Sequence, residues 1–84
     1  GFTRSLAREA GRLGVTVNAV APGFVETEMT ESMDEAQRER VAARSALRRL
    51  VAPEDVANAV AYLVSDKARN ITGTVTTVDA GSTA

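Results

Sequence analysis

The sequence predicts an α/β fold with the element order α, β, α, α, β and two parallel strands. Residues 2–13 carry apolar side chains at helical spacing, and a further helix begins at Pro53. Residues 15–21 form an uncharged, Val-rich run typical of a strand covered on both faces, and residues 74–79 form a short β-branched run. Two strands joined by a helical crossover form a right-handed parallel unit. Since two parallel strands do not make a stable domain, we expect the chain to be part of one larger domain.

The first and third helices are predicted from their ends as well as from their apolar spacing. The first is amphipathic, and Gly14 is expected to end it because glycine readily adopts the left-handed conformation that follows a helix. The third has Pro53 at its first turn, and Glu54 and Asp55 lie near the positive end of its dipole. Its apolar face consists mostly of small residues, so we expect it to pack closely against a sheet.

The second helix is predicted over residues 36–49. It is highly charged and its apolar stripe is thin, so we expect it to lie over another part of the structure instead of being buried beneath it. A capping box marks its start, formed either by Ser32 with Glu35 or by Asp34 with Gln37.

The composition excludes several kinds of chemistry within the chain. The 84 residues contain no Cys and no His, which excludes thiol chemistry, imidazole acid/base chemistry and an ordinary zinc site. Ten basic and eleven acidic residues, with both signs interspersed, provide no field that would recruit nucleic acid or a membrane surface. No apolar run approaches the length of a membrane span. We therefore expect a cytoplasmic protein with no metal site and no nucleic-acid or membrane partner.

The corner that follows the first strand is the strongest candidate site. In open α/β sheets, ligands lie at the carboxyl ends of the strands, and this strand runs directly into Pro22 and Gly23. Glycine lets the backbone approach a ligand closely, and proline stiffens the exit from the strand. The backbone of Val25 and the hydroxyl of Thr27 offer hydrogen-bonding groups nearby. The segment alone leaves open the alternative of a plain strand-to-helix turn.

Other polar residues are given structural or solvated roles. Asn18 lies inside an apolar strand and needs hydrogen-bond partners, so we expect it to fix neighbouring backbone. Glu26 and Glu28 are two residues apart in a loop, where carboxylates seldom converge for acid/base work. The arginines of the second helix have acidic residues among them, which favours a solvated face over an anion site. They are Arg38, Arg40, Arg44, Arg48 and Arg49.

Three segments together resemble the C-terminal part of the short-chain dehydrogenases/reductases, and in particular the 3-oxoacyl-[acyl-carrier-protein] reductases. They are GFTRSLAREAGRLGVTVNAVAPGFVETEM, RRLVAPEDVANAVAYLVSD and ITGTVTTVDAG. Each segment alone is a weak indication of the family, whereas the order and spacing of the three are specific. The resemblance covers nearly the whole chain. The resemblance implies the C-terminal portion of a Rossmann-type doubly wound parallel sheet. It also implies part of an NAD(P)-dependent oxidoreductase that reduces a carbonyl to an alcohol.

The resemblance further implies roles for particular residues. Pro22, Gly23 and Thr27 would border the nicotinamide end of NADP or NAD, and the backbone of Val25 would contact the nicotinamide carboxamide. Residues 26–50 would form the substrate lid. The substrate would be a small-molecule carbonyl or a 3-oxoacyl group on acyl carrier protein.

The same resemblance implies a homotetramer in which the last helix and strand build one subunit interface. Ala57 and Ala61 would then face either the sheet or another subunit. Two departures from the family's pattern are expected to be tolerated. Val51 stands where relatives often have Gly, and Asp79-Ala80-Gly81 replaces the more usual Asp-Gly-Gly.

We expect no catalytic residue in this chain. By the resemblance, the family's Tyr-x-x-x-Lys motif would precede Gly1. Tyr62 and Lys67 do not substitute for it, because they are five residues apart and position 66 is Asp. The isolated 84 residues are therefore expected to be inactive. The alternative hypothesis is a non-catalytic interaction or complementation module derived from the same fold.

Overall fold

A computed structural model describes residues 1–25 and 31–84 of the chain. The helices and strands of this part follow one another in the predicted order. They are α1 (Phe2–Ala10), β1 (Ala19–Pro22), α2 (Glu35–Ala42), α3 (Pro53–Leu63) and β2 (Val75–Val78). Short 3-10 helices follow α1 and α3, over Gly11–Leu13 and Asp66–Ala68. None of the helices described is long and apolar enough to cross a membrane.

The two strands form a parallel sheet, as predicted. Ala19 pairs with Val75 at one end of the ladder, and Pro22 pairs with Val78 at the other. The carboxyl ends of both strands therefore lie at the same edge of the sheet. Residues 19–21 are half-buried in the described structure, so the predicted coverage of β1 on both faces is not seen there.

The predicted strand start at Val15 is wrong, because residues 15–18 approach the chain before β2 without joining the ladder. The Thr72 hydroxyl accepts a hydrogen bond from the Val17 amide (3.0 Å), and the Val17 carbonyl accepts one from the Gly73 amide (2.8 Å). A side-chain oxygen thus takes the place of a backbone acceptor for the Val17 amide, while the Val17 carbonyl keeps a backbone partner.

The ends of the first helical segment agree with the prediction. The α-helix ends at Ala10 and continues as a 3-10 turn to Leu13, after which Gly14 adopts the left-handed conformation with φ 73°. Only Ala7 of α1 is buried, while Phe2 and Leu13 are 81% and 82% exposed. Most of the apolar face of this segment therefore has no cover in the described structure.

The second helix begins as predicted and ends early. Of the two candidate capping boxes, the structure forms the Asp34 one: the Gln37 amide donates to Asp34 Oδ1 (2.8 Å), and the Asp34 amide donates to Gln37 Oε1 (3.1 Å). The helix ends at Ala42 and not at Arg49. The Ser45 hydroxyl is responsible, because it donates to the Ala42 carbonyl (2.9 Å) and accepts from the Arg49 amide (3.1 Å), closing a compact turn.

The third helix starts at Pro53, as predicted, and packs on both strands. The Ala52 amide donates to Asp55 Oδ2 (2.9 Å), so the first-turn carboxylate satisfies one amide at the helix start. Val56 and Leu63 are half-buried, whereas Ala57 and Ala61 are exposed. Whether these alanines face the sheet or another subunit stays a prediction.

The described chain has a very small core. The buried apolar residues are Ala7, Val51 and Ala68. The accessible surface is 6298 Å², against about 4,800 Å² for a compact protein of this mass. The radius of gyration is 15.7 Å, against about 12 Å for a compact domain of this length. The chain is therefore less compact than a complete domain of this length.

Candidate functional site

The site is built around the corner at the end of β1. The Gly23 amide donates to the Val78 carbonyl (2.9 Å), which carries the strand pairing one residue past Pro22. A Cβ atom on Gly23 would lie 2.5 Å from Asp79 Cβ and 2.7 Å from Asp79 Cα. The two strand ends therefore approach each other so closely that only glycine fits at this position.

The chain beyond the corner is joined to the residues before α3. Val25 and Val51 form an isolated parallel bridge, in which the Val51 amide donates to the Phe24 carbonyl (3.2 Å). Val51 is 4% exposed and its backbone is not left-handed, so a β-branched side chain is well suited to it. The expectation that valine is tolerated here agrees with this geometry.

Asp79, the residue after β2, is extensively hydrogen-bonded at this edge of the sheet. Its Oδ1 accepts from the Gly81 amide (2.9 Å), and its Oδ2 accepts from the Thr83 hydroxyl (2.6 Å) and the Thr83 amide (3.1 Å). The side-chain hydrogen bond from Thr83, followed by that from the Gly81 amide, lowers the pKa of Asp79 below its ordinary value. Asp79 is therefore a carboxylate fixed within a tight turn.

Sequence reasoning noted Asp79 as the end of a strand and missed its position against the corner. A usable signal was the spacing itself, since Asp followed by Gly and Thr two and four residues later is typical of a side chain that bonds the next turn of backbone. The contact with Gly23 had no local signal, because 56 residues separate the two positions.

A cleft of 280 Å³ opens beside the corner. Phe24, from the corner, is 48% exposed. The other walls come from the turn after α2 and from the turn after β2. They include Arg44, Ser45, Arg49, Leu50, Asp79 and Ser82. One cleft is therefore lined by the Phe24 ring, the guanidinium groups of Arg44 and Arg49, and the Asp79 carboxylate. The oxygens of that carboxylate are already hydrogen-bonded.

Comparisons with known proteins give the family. Residues 1–83 match a family model described as Enoyl-(Acyl carrier protein) reductase. The 3-oxoacyl-[acyl-carrier-protein] reductases of Pseudomonas aeruginosa and Rickettsia felis are each 49% identical over 81 residues, and that of Escherichia coli is 48% identical. The chain belongs to the short-chain dehydrogenase/reductase family.

The chain spans about one third of the length of the curated relatives that it matches. Each alignment covers 96% of this chain, but only 33% of the Pseudomonas aeruginosa and Escherichia coli reductases and 34% of the Rickettsia felis reductase. This share agrees with the small core and the large uncovered surface of the described residues.

The corner is placed and exposed as a ligand site requires. Its position at the carboxyl end of a parallel strand is where ligands of such sheets lie. Pro22 and Phe24 are exposed, and the adjoining cleft is at the lower limit of about 300 Å³ for small-molecule pockets. A volume of this size admits part of a large ligand and not the whole of it.

The remaining candidate residues fall into three groups. Pro22, Gly23 and Val25 are brought together at the corner, whereas Thr27 lies outside the described residues, as do Glu26 and Glu28. Residues 31–50 are the described part of the predicted lid. Among all the described residues, no group of three or more acidic side chains could hold a metal ion.

Asn18 has the structural role that the sequence predicts. Its Nδ2 donates to the Ile71 carbonyl (3.0 Å), while its Oδ1 accepts from the Thr74 amide (3.2 Å) and hydroxyl (2.6 Å). The amide group thus ties the approach to β1 to the approach to β2, at the opposite end of the sheet from the corner.

Tyr62 and Lys67 do not lie on one helix face. Tyr62 is in the last turn of α3, and its backbone carbonyl accepts from the Ser65 hydroxyl (2.6 Å), beyond which Lys67 belongs to a separate 3-10 helix. Because α3 ends at Leu63, Asp66 is not on the same helix as Tyr62. Tyr62 is half-exposed, at 49%.

Proposed function

We propose that this chain is part of an NAD(P)-dependent reductase that converts a 3-oxoacyl group, carried on acyl carrier protein, to the 3-hydroxyacyl group. The observation that carries the proposal is the identity of 48–49% to three 3-oxoacyl-[acyl-carrier-protein] reductases over 96% of the chain. The family model is named for enoyl reduction, so a 2-enoyl thioester is the second candidate substrate. A free small-molecule carbonyl is the third.

In this proposal the corner provides the nicotinamide wall. Gly23 lets the wall pack directly against Asp79, the Val25 backbone contacts the carboxamide, and Pro22 and Thr27 complete the border. When bound, NADP or NAD supplies the hydride for reduction. The contact of Gly23 with Asp79 supports the proposal, because it holds the wall rigidly at the sheet edge where cofactors of such folds lie.

The remaining proposed features concern the rest of the fold. Residues 26–50 form the substrate lid, and the exposure of most of α2 is consistent with that role. The sheet is the C-terminal part of a doubly wound Rossmann-type sheet. The exposed Ala57 and Ala61 face another subunit of a homotetramer, and the protein acts in the cytoplasm.

The proposal is tested by assaying the intact protein with NADPH and with NADH. Three substrates are compared at equal concentration: a 3-oxoacyl thioester, a 2-enoyl thioester of the same chain length, and a free 3-keto ester. Oxidation of the reduced nucleotide is expected with the 3-oxoacyl thioester. Turnover of the 2-enoyl thioester alone would transfer the assignment to enoyl reduction, and no turnover of any substrate would refute the proposal.

The isolated 84 residues are proposed to be inactive, because Tyr62 and Lys67 lack the Tyr-x-x-x-Lys spacing that the family resemblance implies for catalysis. NADPH oxidation with a 3-keto ester by the pure 84-residue chain would overturn this. The alternative, a non-catalytic complementation module, is distinguished by mixing the chain with the remaining part of a related reductase. Recovered activity favours a split enzyme, whereas binding without activity favours the module.

A further inference from the structure

The turn after β2, residues 79–83, is held by one carboxylate. Asp79 is 8% exposed, and both of its oxygens are occupied by donors from Gly81 and Thr83. The shortest of these bonds, at 2.6 Å, comes from the Thr83 hydroxyl. A charged acceptor strengthens such bonds, so the 79–83 turn is a rigid unit anchored on Asp79.

The 79–83 turn is in direct contact with the corner. The position of a Gly23 Cβ would be 2.7 Å from Asp79 Cα, so the two backbones meet with no side chain between them. The bond from the Gly23 amide to the Val78 carbonyl fixes the same two segments one residue earlier. Any displacement of Asp79 must therefore displace the corner.

The same turn is in direct contact with residues 45–49 of the proposed lid. The Ala80 carbonyl accepts from the Leu47 amide (2.9 Å). On the other side of the turn, a Cβ on Gly81 would lie 2.6 Å from Ala46 Cβ. Since Ser45 closes residues 45–49 into their own compact turn, two rigid units meet here.

We propose that the 79–83 turn is a brace, a rigid segment that sets the distance between the corner and residues 45–49. Asp79 is its positioning residue, and the hydrogen bond from the Thr83 hydroxyl holds Asp79 in place. The cleft beside Phe24 lies between these segments and is lined by both of them, so the brace fixes its width. The proposal rests on the proposed function in one respect: the brace is then required for tight binding of the nicotinamide end of the cofactor.

The test compares Thr83→Val with Thr83→Ser in the intact protein. Valine has nearly the same shape as threonine and removes only the hydroxyl, whereas serine keeps the hydroxyl bond to Asp79. Deuterium exchange is measured at the amides of Leu47 and Gly23, whose acceptors are Ala80 and Val78. The Gly73 amide, bonded to Val17 at the far end of the sheet, reports general loosening.

We expect Thr83→Val to accelerate exchange at Leu47 and Gly23 by about tenfold, as loss of a charged hydrogen bond implies, with no change at Gly73. We expect Thr83→Ser to stay within about twofold of the unmodified protein at all three amides. Unchanged exchange at Leu47 in Thr83→Val would overturn the brace. Equal acceleration at Gly73 would also overturn it, because the hydroxyl would then serve general stability only.

Cofactor binding is measured separately with the reduced nucleotide that the unmodified protein binds more tightly. We expect Thr83→Val to raise its Kd and its KM by about tenfold while kcat at saturation changes less than threefold, and Thr83→Ser to restore both constants. Faster exchange without any change in Kd would overturn the role of the brace in cofactor binding. If the unmodified protein binds no nucleotide, the proposed function fails, and the exchange data alone decide the brace.

Discussion

Replacing Gly23 by alanine is the most direct test of the corner. The new Cβ would lie 2.5 Å from Asp79 Cβ and 2.7 Å from Asp79 Cα, about 1 Å closer than ordinary carbon contacts. Overpacking of this kind costs about 1–3 kcal/mol, and the upper part of that range applies because the obstacle is backbone and not the end of a flexible side chain. Gly23 does not have a positive φ, so alanine also gains up to about 0.5 kcal/mol from reduced freedom of the unfolded chain. The net expectation is a loss of about 2 kcal/mol.

Gly11→Ala is the matched control, since it makes the same chemical change where there is room. A Cβ on Gly11 would meet nothing within 4 Å, and its φ of −59° and ψ of −30° are helical. Alanine is therefore expected to stabilise the protein by about 0.4–1 kcal/mol at this position.

The assay is urea unfolding of the intact protein and of both variants. With an m value of about 2 kcal/mol/M, Gly23→Ala should lower the midpoint by about 1 M and Gly11→Ala should raise it slightly. The reasoning is refuted if Gly23→Ala unfolds within about 0.5 kcal/mol of the unmodified protein while Gly11→Ala behaves as expected.

Three further predictions concern the same fold. Ala80→Gly should raise the free energy of unfolding by about 1 kcal/mol, measured in urea, because Ala80 has φ 53° and an L side chain is strained there. An unchanged or lower value would contradict this. Asn18→Ala should lower the free energy of unfolding by about 2 kcal/mol, because it leaves the Ile71 carbonyl and the Thr74 amide and hydroxyl without their partner. The control is the exposed Asn58→Ala, which should change the free energy of unfolding by less than about 0.5 kcal/mol. Equal effects of the two substitutions would contradict the role of Asn18. The folded state binds a proton on Asp79 less readily than the unfolded state, since the Thr83 and Gly81 bonds lower its pKa from 3.8. Its contribution to stability should thus be present above pH 3.8 and be lost as the pH falls through the lowered pKa, and Asp79→Asn should flatten this part of a plot of unfolding free energy against pH.

Local signals were sufficient for the elements whose causes are local. Gly14 adopts the left-handed conformation that its position after α1 predicts, and Pro53 begins α3 because it has no amide to satisfy. The choice between two capping boxes needed the structure, since both pairs have the same spacing and Asp34 is the residue at the helix N-cap. The length of α2 was overestimated because a single hydroxyl, that of Ser45, closes the chain into a turn that helix propensity does not reveal.

Two positions at which the chain departs from the family's glycine pattern also show what could not be predicted from the sequence alone. Val51 and Ala80 each stand where the family's pattern has glycine, and both replacements were expected to be tolerated. The structure distinguishes them: Val51 is in a buried parallel bridge that suits it, whereas Ala80 is held in a left-handed conformation by its neighbours. Backbone angles of this kind depend on the whole turn and cannot be predicted from the residue type alone.

By itself, the sequence determined the α/β class, the parallel pairing, the corner at Pro22 and the supporting role of Asn18. Each of these follows from periodicity, from a residue with restricted backbone, or from a buried polar group that must be satisfied. Only the tertiary structure decided that Asp79 lies against Gly23 and that residues 45–49 rest on the turn after β2. Those contacts join positions more than thirty residues apart. They arise because a parallel crossover returns the chain to the same edge of the sheet, where distant segments must pack.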